Sequence, residues 1–224
     1  MKKSTLFFNL ITFCGISFAE IAFLTGGEID TKEQSYSYVG LIWDKGMGGD
    51  SKLRFKAWAD YLTYSFPYDR ERVEAKAPAF QLAMGIGKKY SLWNLSLWTG
   101  WERRNTRVDP PREVEVKGIK DSLILQFEVE GNVGKGAYID FITSYSSGTS
   151  YFWSRARLRK KFNPEGGFFG IEFLGHGNKD YRAFQSGPVG GVAFNNVFFL
   201  LKAGFKNSSQ GNSFYGGAEF FLGF

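Results

Sequence analysis

The chain has 224 residues, a formal net charge of +6, 18% aromatic side chains, 28 glycines, and a single cysteine and a single histidine. That composition excludes a disordered chain, a disulfide scaffold and a Cys-rich zinc site. A mean hydropathy of −0.24 excludes a bundle of membrane helices and leaves a globular all-β domain or a transmembrane β-barrel.

The N-terminus opens with Lys2 and Lys3, runs apolar from Leu6 to Ile16, and closes on Ser17-Phe18-Ala19. Small residues at the two positions read by a signal peptidase predict a secretory signal cut after Ala19, so that the domains are a leader over 1–19 and a barrel over 20–224. The apolar run is broken by Asn9 and Thr12 and is too short to span a bilayer. Cys14 lies inside it, so the exported chain carries no cysteine. Export, with no polybasic run or RNA-binding motif, argues against a nucleic-acid partner.

Beyond Ala19 no apolar pattern holds a helical period for three turns. Alternating segments closed by turn residues predict strands over 21–31, 35–44, 53–66, 79–90, 92–106, 118–130, 136–148, 150–162, 167–178, 182–194, 196–206 and 212–224. The reading is an all-β fold, an antiparallel transmembrane β-barrel of about 12 strands after a cleaved signal peptide. The connections 45–52, 89–91, 131–135, 163–166 and Asn195-Asn196 are mostly short and of turn composition. Those at 67–78 and 107–117 are long and hold Pro67, Pro78 and Pro110-Pro111. Short loops inside and long loops outside are the asymmetry of single-chain bacterial barrels.

The last strand sets Phe214, Gly216, Ala218, Phe220, Leu222 and Phe224 on one face. Its terminal Phe224 is similar to the signal read by the outer-membrane assembly machinery, which makes that machinery and outer-membrane lipid the expected partners. In 150–162, Trp153, Arg155, Arg157 and Arg159 share the opposite kind of face. Arginines facing lipid at the midplane cost about 2–4 kcal/mol each, so they point into the lumen. The same rule places Arg54, Lys56, Trp58 and Asp60 inside, with Glu128, Asp140, Glu172, Lys202 and Glu219.

A lumen carrying both signs reads first as an ion-pair network filling a narrow barrel. The alternative is a small porin whose arginine ladder selects oligosaccharides or anions. Trp58 and Trp153 would suit sugar faces. A lipid acyl hydrolase is a third option, with His176 as base, but Asn178 stands where such barrels carry a serine, and Ser186 would have to come from the next strand. Carboxylates suited to glycoside hydrolysis exist among Glu128, Glu130, Asp140 and Glu172. No phosphate loop, zinc motif or calcium loop is present, so no cofactor and no catalytic residue is assigned.

Ser37-Tyr38-Val39-Gly40, the run Ser150-Tyr151-Phe152-Trp153-Ser154-Arg155-Ala156-Arg157, and Gly170-Ile171-Glu172 form ordered blocks. With Gly177-Asn178, Tyr181-Arg182, Gly187 and the closing Phe224, they resemble the BcsS family of bacterial cellulose biosynthesis proteins. The resemblance implies a non-catalytic outer-membrane accessory of cellulose or related exopolysaccharide production, with the polymer and its secretion machinery as partners. It implies no catalytic residues.

Overall fold

The computed structural model describes residues 20–69, 71–162 and 166–224; the predicted leader and cleavage site lie outside them, as does most of the 163–166 connection. The described residues form a closed barrel of twelve strands, each antiparallel to its neighbours, with the last strand pairing with the first. The strands are β1 Glu20–Asp30, β2 Ser35–Gly46, β3 Ser51–Tyr68, β4 Glu71–Tyr90, β5 Trp93–Asp109 and β6 Gly118–Gly134. They continue as β7 Ala137–Ser146, β8 Tyr151–Lys161, β9 Gly167–Gly177, β10 Arg182–Phe194, β11 Val197–Ser208 and β12 Gly211–Gly223.

Closure follows from the alternation. On β5, Trp93, Leu95, Leu97 and Trp101 face outward, and Leu97 is 61% exposed to what would be lipid. Between them Asn94, Ser96, Trp98, Glu102 and Arg104 face inward. From Trp93 to Trp101 the strand rises eight steps of about 3.4 Å; a tilt of about 40° makes the apolar band roughly 20 Å tall, close to an outer-membrane core. A ring of twelve strands leaves no free edge at this depth.

The predicted long loop at 67–78 is not a loop. β3 and β4 run on as one hairpin to the pair Tyr68↔Glu71. Pro67 and Pro78 suggest a break, yet Pro67 stands beyond the last β2–β3 rung and Pro78 at an interruption of the β4–β5 ladder, where a missing N–H costs least. The β4–β5 ladder is interrupted at Ala77 and Pro78 and resumes in the same register at Ala79↔Arg104. Arg104 Nη1 donates to the Ala77 carbonyl at 2.9 Å within that gap. The 107–117 connection shortens to 110–117, because β5 continues to Asp109.

The two ends of the barrel therefore differ. Glu20 and Phe224 lie at the near end, with the turns at 47–50, 91–92, 135–136 and 195–196. At the far end, β3 residues beyond Thr63 and β6 residues before Ile124 rise past their neighbours β2 and β7. The wall of β3 to β6, with strands of 17 to 20 residues, stands above a ring whose other strands have 10 to 13.

Candidate functional site

Register places every sequence-predicted lumenal residue on the inward face. Arg54, Lys56, Trp58 and Asp60 point inward from β3, and Glu128 from β6. Asp140 comes from β7, Trp153, Arg155, Arg157 and Arg159 from β8, Glu172 from β9, Lys202 from β11 and Glu219 from β12. What the alternation could not give is which of them meet.

One group gathers at mid-height on the β7 to β1 side. Arg157 pairs with Glu172 on the adjacent strand and reaches Glu219 on β12 with Nη1 at 2.8 Å. Lys202 lies 2.7 Å from Glu28, 3.4 Å from Glu219 and 3.6 Å from Glu172. Arg155 and Arg159 share Asp140, at 3.5 and 2.8 Å. Gln185 Nε2 donates to Glu28 at 2.8 Å and adds a neutral donor. Glu172 and Gln185 are 0% exposed and Arg157 3%. The cost of burying these charges is offset by their mutual pairing.

A second group occupies the β2 to β7 side. Arg54 donates from Nε to Asp44 at 2.8 Å and from Nη1 to Ser96 at 2.7 Å and Glu128 at 3.3 Å. Arg104 joins Asp60 at 2.9 Å and Glu102 at 3.2 Å, and Ser146 donates to Glu102 at 2.9 Å. Lys56 donates to Gln126 at 2.8 Å and lies 5.5 Å from the centre of the Trp98 ring. Tyr38 stacks on Trp58 at 4.5 Å. Gly40 permits this, since a Cβ there would lie 2.2 Å from Cε3 of Trp58. The Tyr38-Val39-Gly40 block thus has a packing reason.

Residues the sequence reading passed over include Glu28, Asp44, Trp98, Glu102, Arg104 and Gln185. All sit at inward alternation positions. Glu102 and Arg104 were within reach of the same rule, two and four places beyond the inward Gly100.

Toward the near end the lumen opens into a cavity of about 270 Å³. Arg54, Glu128, Asp140, Arg155 and Arg159 line its polar side, and Phe168, Phe198 and Phe221 its apolar side. Phe168 and Phe198 stack at 5.1 Å, with the Arg159 guanidinium 5.6 and 5.2 Å from their ring centres. Phe221, an apolar side chain at an inward position of β12, faces this cavity.

The far end is closed differently. Tyr64, Phe66, Val73, Ala75 and Ala77 of the tall hairpin pack in one buried cluster with Tyr181 and Ala183. β3 is five places and β4 six from β10 in a ring of twelve, so this contact spans the mouth. Gln34 sits within the closure. It accepts from Tyr181 at 2.6 Å and Lys206 at 3.0 Å and donates to Ser65 at 3.4 Å. Val116 of the 110–117 loop is buried here, and Lys179 bridges to Glu115 at 3.2 Å. Burial, and secondarily Glu115, holds the Asp180 carboxyl above its ordinary range. A cavity of about 20 Å³ at this end, beside Tyr64 and Tyr181, is no larger than a water molecule needs.

The geometry bears on the chemistries considered. His176 faces inward with Nδ1 2.6 Å from the Tyr151 hydroxyl. Ser186 pairs with Phe173 on the outward face, so it does not complete a serine–histidine pair. The carboxylates considered for glycoside hydrolysis are engaged: Glu128 with Arg54, Glu130 with Asn94, Asp140 with Arg159, and Glu172 with Arg157. Among the described residues no group of three or more His, Cys, Asp or Glu is placed to hold a metal ion.

Solved structures with this fold are outer-membrane proteins. An outer membrane channel from Pseudomonas putida F1 superposes with a TM-score of 0.59 at 9% identity, covering 94% of this chain and 97% of its own. The translocator domain of the autotransporter NalP from Neisseria meningitidis gives 0.52 at 13% identity, over 91% and 87% of the two chains. The KdgM porin gives 0.51 at 6% identity, over 89% and 98%. At such identities the likeness is one of fold. No curated protein matches the chain in sequence. The model of the cellulose biosynthesis protein BcsS family matches residues 23–224, across all twelve strands, and the chain belongs to that family.

Proposed function

We propose that this chain is a non-catalytic outer-membrane accessory of cellulose or related exopolysaccharide production, exported by a leader cleaved after Ala19. Family membership supports the pathway. The observation that carries the mechanistic part is the dry middle of the lumen: Glu172, Gln185 and Arg157 are sealed from solvent by their own partners. Conduction needs binding groups that an ion or sugar can reach and leave, and a buried layer whose charges face one another offers none. The barrel then acts as an anchor. Short turns at the near end support a periplasmic orientation of the 270 Å³ cavity. That cavity is at the small end of ligand pockets, and its stacked rings beside arginines and carboxylates suit a single sugar unit of a chain or of a polymer-bearing partner. In this reading Arg54, Glu128, Asp140, Arg155 and Arg159 contact the polymer, while Arg157, Glu172, Lys202 and Glu219 hold the wall.

The test is deletion of the gene with complementation. Loss of surface-attached cellulose or a related polymer, restored by the wild-type chain and not by Arg159→Ala inserted at equal level in the outer membrane, is expected. Unchanged polymer in the deletion strain would overturn the role. The porin reading would instead require a water-filled path past Arg157.

A further inference from the structure

The outer surface of the tall wall carries a charge arrangement that the lumen does not explain. On β4 the outward face runs Ile86, Met84, Leu82, Phe80 and Pro78, and then meets Lys76. On β5 it runs Leu95, Leu97, Thr99 and Trp101, and then meets Arg103 and Arg107. Lys76 and Arg107 are direct partners in the ladder, both exposed. Directly opposed side chains on one face have Cβ atoms about 4.5–5.5 Å apart, and like charges there repel. No carboxylate lies within 4 Å of either among the described residues; the next rung out pairs Glu74 with Asp109, and Glu74 leans to Arg72 at 3.9 Å. Arg103, four residues nearer the apolar band, is aimed by Asp121, which takes its Nε at 3.0 Å and Nη2 at 2.9 Å. Asp121 also accepts from Trp101 Nε1 at 3.0 Å. On the far side of the ring, β11 and β12 carry Asn207 bonded to Asn212 at the step beyond Phe205 and Phe214.

We propose that the outward face of β4 and β5 at the top of the apolar band binds a phosphorylated glycolipid of the outer leaflet, of the lipid A type. One phosphate bridges Lys76 and Arg107, the second lies toward Arg103, and the acyl chains pack on Phe80, Leu82 and Trp101. Charge complementarity carries the assignment: an anion between Lys76 and Arg107 converts a repulsive rung into two charge-assisted contacts. Four residues of strand, about 13 Å, separate Arg107 from Arg103, which suits a headgroup with phosphates at both ends of a disaccharide. The site rests on the far end facing outward, as proposed above. Binding is measured on the purified barrel, so a failure here leaves the polysaccharide role standing.

The experiment titrates bisphosphorylated lipid A, dephosphorylated lipid A and phosphatidylglycerol into the folded protein in a zwitterionic detergent, read by native mass spectrometry. The proteins are wild type, the double variant Lys76→Gln/Arg107→Gln, and Lys160→Gln on the exterior of β8 as control; heat-modifiable migration verifies folding of each. Bisphosphorylated lipid A should bind the double variant about tenfold or more weakly, the scale of charge-assisted contacts at a surface, and bind the control unchanged. Equal binding to wild type and double variant would overturn the site. Equal binding of the dephosphorylated lipid would assign it to the apolar band alone, and equal, equally weakened binding of phosphatidylglycerol would make it a generic anionic surface; either overturns the proposal.

Discussion

The two ends of the lumen are built on opposite principles. At the near end, ionic residues border open space: Arg54, Asp140 and Arg159 line a cavity of about 270 Å³, and Lys52 pairs with Glu20 at 2.7 Å with both side chains more than a quarter exposed. At the far end a hydrophobic cluster from the tall hairpin crosses the mouth, and the neighbouring cavity shrinks to about 20 Å³. Between them, with Arg157 and Glu219 forming part of the wall of the larger cavity, lies the buried layer of Arg157, Glu172 and Glu219. The difference teaches where the barrel can tolerate change. Charges beside water can be rehydrated when a partner is lost, whereas those in the dry layer cannot.

That contrast orders the mutational effects. Arg157→Ala leaves Glu172 and Glu219 with Lys202 as their one shared cation, and should cost about 3–5 kcal/mol in denaturant titrations of the folded barrel. Phe66→Ala, 2% exposed in the far-end cluster, should cost about 3 kcal/mol and make the tall hairpin susceptible to added protease. Gly40→Ala places a Cβ against the Trp58 ring and should cost about 1–3 kcal/mol, with a loss of Trp near-ultraviolet ellipticity from the Tyr38–Trp58 stack. Lys52→Ala at the near end should change stability by less than about 1 kcal/mol. A cost for Lys52→Ala as large as that for Arg157→Ala would erase the distinction between the ends.

Much of this was legible in the sequence, and the limits have a physical origin. Period-two alternation fixes which face a side chain takes, so twelve segments and the lumenal set from Arg54 to Glu219 could be read directly. It does not fix height or ring position. Arg157 and Glu219 are four strands apart around the ring, and only the stagger of the closed sheet brings them together. The far-end lid was missed because Pro67 and Pro78 are turn residues by type, although Tyr64, Phe66, Val73, Ala75 and Ala77 keep an inward apolar alternation on both arms of the hairpin. Following that alternation through the prolines would have found the hairpin. The resemblance blocks, by contrast, mix roles: Gly40 makes room for Trp58, whereas Arg155 and Arg157 are ion-pair members.

The central claim is that the lumen is sealed, and single-channel recording in planar bilayers tests it most directly. The wild-type barrel should insert without stable conductance steps, and Arg157→Ala should introduce a leak through the opened middle layer. A large, stable, anion-selective conductance of the wild type that falls in Arg157→Ala would contradict the account and make the barrel a pore.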